Sequence, residues 1–325
     1  MRLHAEPWVV IGGPTGTGKS ALAVAIAEAI GGEVVNYDSV QIYRGFDIGS
    51  AKPGIDLRAR VPHHLFDLAE ASSEIDAAEF ARIASATCRE IAARGRRPIL
   101  VGGTGFYLRA LLRGLPEMPG RDEGVRKRLR RIMESERGRE RLHRWLARVD
   151  PLSARRIAAA DRHRIERALE VWVLSNRPIS SWPRPEAGGL GVDACILALR
   201  TERTVLAERL DRRVAELYAN GLVDETRALL ERYPAEARPF GSIGYAEAVR
   251  VVRGEIDLEA AIVETRRRTR AYAKRQMTWF RAERDVHWID AGRPFERIRE
   301  ESLDTIRRFC DPPADSRPGD AITHE

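Results

Sequence analysis

Cysteine is scarce in this 325-residue chain: Cys88, Cys195 and Cys310 are few, odd in number and far apart. That excludes a disulfide framework and a cysteine-based zinc site, and it fits a reducing compartment. Long apolar runs are also missing. No stretch approaches the roughly 20 apolar residues that a membrane helix needs, and no signal-like apolar segment precedes the first strand. The expectation is a soluble, cytoplasmic protein that does not contact membranes. Internal repeats are absent, and the tail 311–325 has too little apolar content to fold, so it is expected to be disordered.

Positive charge is not spread evenly. Residues 121–148 hold 11 Lys/Arg against 5 Asp/Glu, and residues 264–284 hold 8 against 2. Each segment is therefore +6 in a chain of net charge +7, which leaves −5 for everything else. A polyanion-binding surface needs such concentration. Solvated arginine-rich helix faces would give the same composition, so the pattern alone leaves both readings open.

The strongest motif is Gly13-Pro14-Thr15-Gly16-Thr17-Gly18-Lys19-Ser20, which follows the strand-like run Trp8-Val9-Val10-Ile11 and opens a helix-like run from Ala21 to Ile30. Glycines let such a loop curl with its N–H groups pointing inward around phosphate oxygens, and the helix N-terminus adds positive potential. Lys19 is placed to reach terminal phosphates and Ser20 to ligate Mg²⁺. The ligand is a diphosphate or a nucleotide such as ATP.

Further strand-like runs occur at Val34-Val35, Ile99-Leu100-Val101, Ile196-Leu197-Ala198-Leu199 and Val286-His287-Trp288-Ile289, with helical patterns between several of them. They predict an α/β fold: a P-loop NTPase-like parallel sheet flanked by helices. One helix is expected over 77–93, started by Ser72-Ser73 with Asp76 and stopped at Gly95 before Pro98. From Pro116 to about Gly191 only helical patterns appear, at 125–134, 139–147, 151–159 and 163–174. The division is thus a core over 1–115, an all-helical insertion over 116–192, and the rest of the core over 193–310.

An ATP-hydrolysing P-loop normally has a second acid at a strand end. Here Ile99-Leu100-Val101 runs into Gly102-Gly103-Thr104-Gly105 instead, and the carboxylate at a nearby strand exit is Asp38. Strand ends of a parallel sheet face the ligand crevice, so Asp38 should look into the phosphate site. A helix-capping or outer-shell Mg²⁺ role is the alternative. His63-His64 does not suggest zinc, because adjacent residues of an extended segment point opposite ways and no third ligand is suitably spaced.

Seven motifs in one order complete the pattern. They are the loop itself, Asp38-Ser39-Val40-Gln41-Ile42-Tyr43, Asp47-Ile48-Gly49-Ser50-Ala51-Lys52-Pro53, Pro62-His63-His64-Leu65, Gly102-Gly103-Thr104-Gly105-Phe106-Tyr107, Gly244-Tyr245, and Ala273-Lys274-Arg275-Gln276-Met277-Thr278-Trp279. Together they resemble the tRNA dimethylallyltransferase (isopentenyltransferase) family from about residue 8 to residue 290. Ala246 departs from that pattern, which often carries a basic or polar residue there.

The resemblance implies transfer of a dimethylallyl group from dimethylallyl diphosphate to N6 of the adenosine on the 3′ side of the anticodon in tRNA. It also favours a monomer with no obligate protein partner. Asp38 would be the base, Thr15 would touch the bridging oxygen, Thr104 the incoming nucleotide, and Arg213 the diphosphate, although Arg213 on its spacing alone could equally be a surface arginine. Ser39, Val40 and Gln41 would hold the extruded base. Arg126, His163, Arg164 and Arg167 would contact the anticodon arm, and Gly244 and Tyr245 the RNA. At 100° per residue, Arg266, Arg267, Arg270, Lys274 and Arg281 share one arc of a helix over 264–281, a stripe suited to phosphates. A small-molecule or nucleotide kinase is the alternative, as are a non-catalytic RNA-binding protein and a transferase acting on free adenine nucleotides, which would lack the insertion.

Overall fold

The computed structural model describes residues 7–183 and 193–310, so the expected disordered tail lies outside the described residues. The chain divides into two compact units, one made of 1–114 with 189–325 and the other of Leu115–Gly188.

The first unit is built on β1 (Trp8–Gly12), α1 (Lys19–Ile30), β2 (Gly32–Asn36), α2 (Ile55–Ala59), β3 (His63–His64), α3 (Ala77–Ala93), β4 (Arg97–Val101) and α4 (Gly105–Arg113). Its six strands lie in the order β3-β2-β4-β1-β5-β6, all parallel, where β5 is Ala194–Arg200 and β6 is Val286–Asp290. β1 and β2 are buried along their whole length, as strands covered on both faces must be. β3 is only two residues long, too short to leave a pattern in the sequence. Asp76 itself caps α3, accepting from the backbone N–H groups of Ala78 and Glu79, so the start signal is the aspartate rather than Ser72-Ser73. Cys195 sits in the core beside Val9, Ile11 and Leu197, where burial pushes its thiol up to about 12.

β1 ends at Gly12, β2 at Asn36 and β4 at Val101, and these ends lie side by side with Asn36 paired to Val101. The loops that follow therefore meet at one edge of the sheet. They are the phosphate loop, the Asp38 segment and the Gly102–Gly105 segment.

The second unit holds α5 (Glu123–Glu134), α6 (Gly138–Val149), α7 (Pro151–Arg156) and α8 (Arg162–Ser175), with no strand among the described residues. Val125, Leu129, Leu142, Leu146, Ile165 and Leu169 form its core. Beside that core lies a buried ion network. Arg126 donates to both oxygens of Glu170 at 2.7 and 2.9 Å, and Arg167 adds a bond at 2.8 Å. Burial pushes the Glu170 carboxyl up, but these donors and the Asp122 N–H outweigh it and hold the group at about 2.

The first unit resumes with α9 (Arg203–Ala219), α10 (Leu222–Arg232), α11 (Tyr245–Val252), α12 (Leu258–Ala282) and α13 (Phe295–Cys310). α12 is 25 residues long and buries Thr265, Ala273, Gln276 and Phe280.

Candidate active site

The phosphate loop turns from β1 into α1 through residues that only glycine tolerates. Gly18, the residue before α1, has φ 86°, a left-handed conformation without steric cost for glycine. Thr15, Gly16, Gly18, Lys19 and Ser20 line a cavity of about 650 Å³, while Gly13 and Pro14 are buried behind them and Thr17 is held by the Pro14 carbonyl at 2.9 Å. Lys19 donates to the same carbonyl at 2.7 Å. Burial, reinforced by the Arg213 guanidinium, pushes the Lys19 ammonium down to about 7, against an opposing pull from Asp38.

Arg213, on α9, lines the same cavity, so the surface alternative does not apply to it. Its pKa is lowered by burial, with Asp38 and Glu216 acting the other way. Among the described residues neither Lys19 nor Arg213 forms an ion pair with a protein carboxylate. Two desolvated cations side by side are unfavourable unless an anion joins them. The cavity thus asks for a multiply charged anion.

Among the described residues Asp38 is the one acidic group lining this cavity. Its Oδ1 accepts from the Val40 N–H at 2.9 Å and the Gln41 N–H at 3.4 Å, which shapes the 38–41 turn. Asn36 fixes the Asp38 N–H from below at 2.9 Å. The carboxylate is therefore both a turn former and a group presented to the cavity. Thr104 does not stand alone: its Oγ1 accepts from the Ser39 N–H at 3.1 Å, which ties the β4 exit to the Asp38 turn.

Comparison with known proteins decides the family. The model of the family described as IPP transferase matches residues 41–283. A tRNA dimethylallyltransferase of Solibacter usitatus is 48% identical over 93% of this chain and 99% of its own length. One from Geobacter metallireducens is 46% identical over 93% and 96%.

The chain belongs to the IPP transferase family. Solved structures agree: a tRNA isopentenylpyrophosphate transferase of Bacillus halodurans superposes with a TM-score of 0.69 at 36% identity, covering 93% of this chain and 97% of that one. A eukaryotic dimethylallyltransferase described as acting on tRNA gives a TM-score of 0.70 at 27% identity over 88% and 74%. Among the described residues no helix is long and apolar enough to cross a membrane.

Within this fold, several residues expected to contact RNA are buried or already paired. Tyr245 is fully buried, donates to Glu225 Oε1 at 2.5 Å and accepts from the Gly49 N–H at 3.1 Å. Gly244 is buried before α11, its N–H held by Glu247 at 2.8 Å. Tyr245 thus braces the 47–49 loop, whose Gly49 lines the cavity, while Gly244 belongs to the start of α11. The Glu225 carboxylate completes that brace by accepting from the N–H groups of Asp47, Ile48 and Gly49.

Gln41 lines the cavity, but its amide nitrogen is spent on the Ser50 and Ala51 carbonyls at 3.1 and 3.2 Å, which leaves only an acceptor for a ligand. Ser39 and Val40 line the cavity as well. In the second unit Arg126 is enclosed by Glu170, and Arg167 also binds the Pro119 carbonyl, so neither guanidinium is open to RNA as it stands. His163 and Arg164 are exposed.

On α12, Arg267 and Lys274 are exposed, whereas Arg270 is paired with Asp211 and Arg266 is half-buried. The arginines of α12 that line the cavity are Arg268 and Arg275, which the basic arc left out. Arg268 is paired with Glu247. The hidden residue is Gln276. It is buried in the packing face, and its Oε1 accepts from the Thr15 N–H at 2.9 Å while its Nε2 donates to the Gly103 carbonyl at 3.0 Å. The one signal for it was its place in the Ala273–Trp279 motif.

A divalent cation fits the donor set. Ser20 and Asp38 are oxygen donors lining one cavity, and no cluster of three or more His, Cys, Asp or Glu among the described residues could hold a metal by itself. Mg²⁺ is commonly held in that way, through one or two protein oxygens plus phosphates and water.

Proposed function

We propose that this chain transfers the dimethylallyl group of dimethylallyl diphosphate to N6 of the adenosine on the 3′ side of the anticodon in tRNA. The observation that carries it is one cavity in which two half-buried cations, Lys19 and Arg213, stand with a single carboxylate, Asp38. In the reaction the allylic C1–O bond breaks and its electrons leave with diphosphate, while the N6 lone pair forms the new C–N bond. The N6 proton passes to Asp38, a contribution of roughly 10²–10⁴ in rate. Lys19 and Arg213 stabilise the charge that gathers on the leaving diphosphate. Thr15, on the loop that lines the cavity, would contact the bridging oxygen.

Ser20 would hold Mg²⁺ together with the donor's phosphates, and the ion would supply further charge neutralisation. The relatives' names support this substrate class. Exposed Arg267 and Lys274, with His163 and Arg164 of the helical unit, offer phosphate contacts to the anticodon stem-loop. Three thiols and no membrane-length helix among the described residues fit action in the cytoplasm, where tRNA is.

A kinase is not favoured, since its second strand-end acid is missing and it has no use for concentrated basic helices. The deciding experiment offers labelled dimethylallyl diphosphate with unmodified tRNA, and labelled ATP with the same tRNA or with small metabolites. Label entering RNA from the prenyl donor alone is expected. Release of ADP with a metabolite acceptor and no prenylated RNA would overturn the proposal.

A further inference from the structure

Gln276 joins two parts of the site that serve different substrates. Thr15 belongs to the loop that takes the donor, and Gly103 adjoins Thr104, whose hydroxyl is bonded to the Asp38 turn. A carboxamide supplies an acceptor and a donor on one rigid plane, and both are used here. The space is reserved for it, because a Cβ on Gly103 would stand 2.0 Å from Gln276 Nε2. The Tyr272 hydroxyl, one turn away on α12, lies beside Thr104 and Gln276. Phosphate loops aim their N–H groups at the ligand, yet the Thr15 N–H is turned to this side chain. That amide is used to place the loop.

We infer that Gln276 is a positioning residue: it sets the separation between the donor's loop and the Asp38–Thr104 turn, and so between the leaving oxygen and the accepting base. The inference rests on the prenyl transfer proposed above. Substrate affinity resides in other groups, so misplacement should appear in the chemical step. A displacement near 1 Å costs about 100-fold.

The test is single-turnover transfer at saturating dimethylallyl diphosphate and tRNA, with both affinities measured separately, for wild type, Gln276→Leu and Gln276→Glu. Gln276→Leu should slow transfer about 30–100-fold while both affinities stay within about threefold. Gln276→Glu sets a carboxylate against the Gly103 carbonyl, whereas its protonated form restores acceptor and donor. Its rate divided by that of wild type should therefore climb as pH falls from about 8 to about 5.5; the division removes any pH dependence that the two proteins share. A Leu variant within threefold of the wild-type rate overturns the inference, as does a loss confined to affinity. A flat ratio for the Glu variant also overturns it, and decides the matter where the Leu variant fails to fold. A wild-type protein that prenylates nothing sinks the reaction itself, which separates that failure from this one.

Discussion

Two sets of cations in this molecule differ in whether the protein supplies their counter-charge. In the helical unit Arg126, Arg130 and Arg167 are each matched to Glu170 or Glu166, and Glu170 is wholly enclosed. In the sheet unit Lys19 and Arg213 line a cavity with no ion-pair partner among the described residues, only Asp38 nearby. A protein that completes its own charge balance spends those arginines on folding. One that leaves two cations incomplete at the end of a parallel sheet reserves them for an anion that arrives later. In sequence the two sets look alike, and only the fold separates the arginines matched to a carboxylate from the cations left without one.

The largest effect should come from the carboxylate that shares the cavity with the incomplete pair. If Asp38 only balanced Lys19 and Arg213, its removal would tighten diphosphate binding and spare the rate. As a base, Asp38→Ala should slow single-turnover transfer by about 10²–10⁴ and leave tRNA affinity nearly unchanged. A normal rate in rapid-quench measurements removes Asp38 from the mechanism.

The next test sets the two regions against each other in stability. Glu170→Ala leaves Arg167 without a carboxylate and Arg126 with only Glu166 at 3.6 Å, and should cost about 3–5 kcal/mol in denaturant unfolding, since breaking a buried pair leaves charge poorly compensated. Lys19→Met removes one of two crowded cations, so the ligand-free protein should melt no lower than wild type. A Glu170 variant as stable as wild type, or a Lys19 variant that melts well below it, breaks the distinction.

How much of this was legible before the structure depends on distance along the chain. The loop from Gly13 to Ser20 is local, so spacing, strand and helix could be read together, and the ends of β1, β2 and β4 converge as the parallel pattern predicts. Asp38 followed from the same rule. Gln276 did not, because its partners lie 261 and 173 residues away and nothing near it betrays them. Gly244 and Tyr245 show the opposite failure: the motif was visible, but a motif does not say whether its residues face a ligand or support the wall behind one. Arg126 and Arg267 are equally basic in composition, and only burial separates them.

The two regions should also answer pH at opposite ends of the scale. Lys19 titrates near 7 in the fold and near 10.4 unfolded, so between those values the unfolded chain binds more protons and stability rises with pH, by up to about 1.4 kcal/mol per unit. Glu170, held at about 2, contributes stability that is present above the ordinary carboxylate range and lost as pH falls through about 2. Wild type should thus gain on Lys19→Met from pH 7 to 10, and lose its advantage over Glu170→Gln on acidification. Chemical denaturation across pH checks both slopes, and parallel curves for wild type and either variant refute the corresponding half.

The smallest effect concerns cations on one helix that differ only in partners. Arg267 and Lys274 are exposed on α12, Arg267 only loosely paired with Glu264 at 3.7 Å, whereas Arg270 is engaged closely with Asp211. Each phosphate contact releases counterions, so losing one lowers the salt slope of binding by about 0.7–0.9. Arg267→Ala and Lys274→Ala should each do so for tRNA. Replacing Arg270 and Asp211 together by alanine removes a neutral pair and should leave the slope as it was. A reduced slope in that double variant would mean that RNA draws Arg270 away from Asp211, and would move it from the self-balanced set to the set held for the substrate.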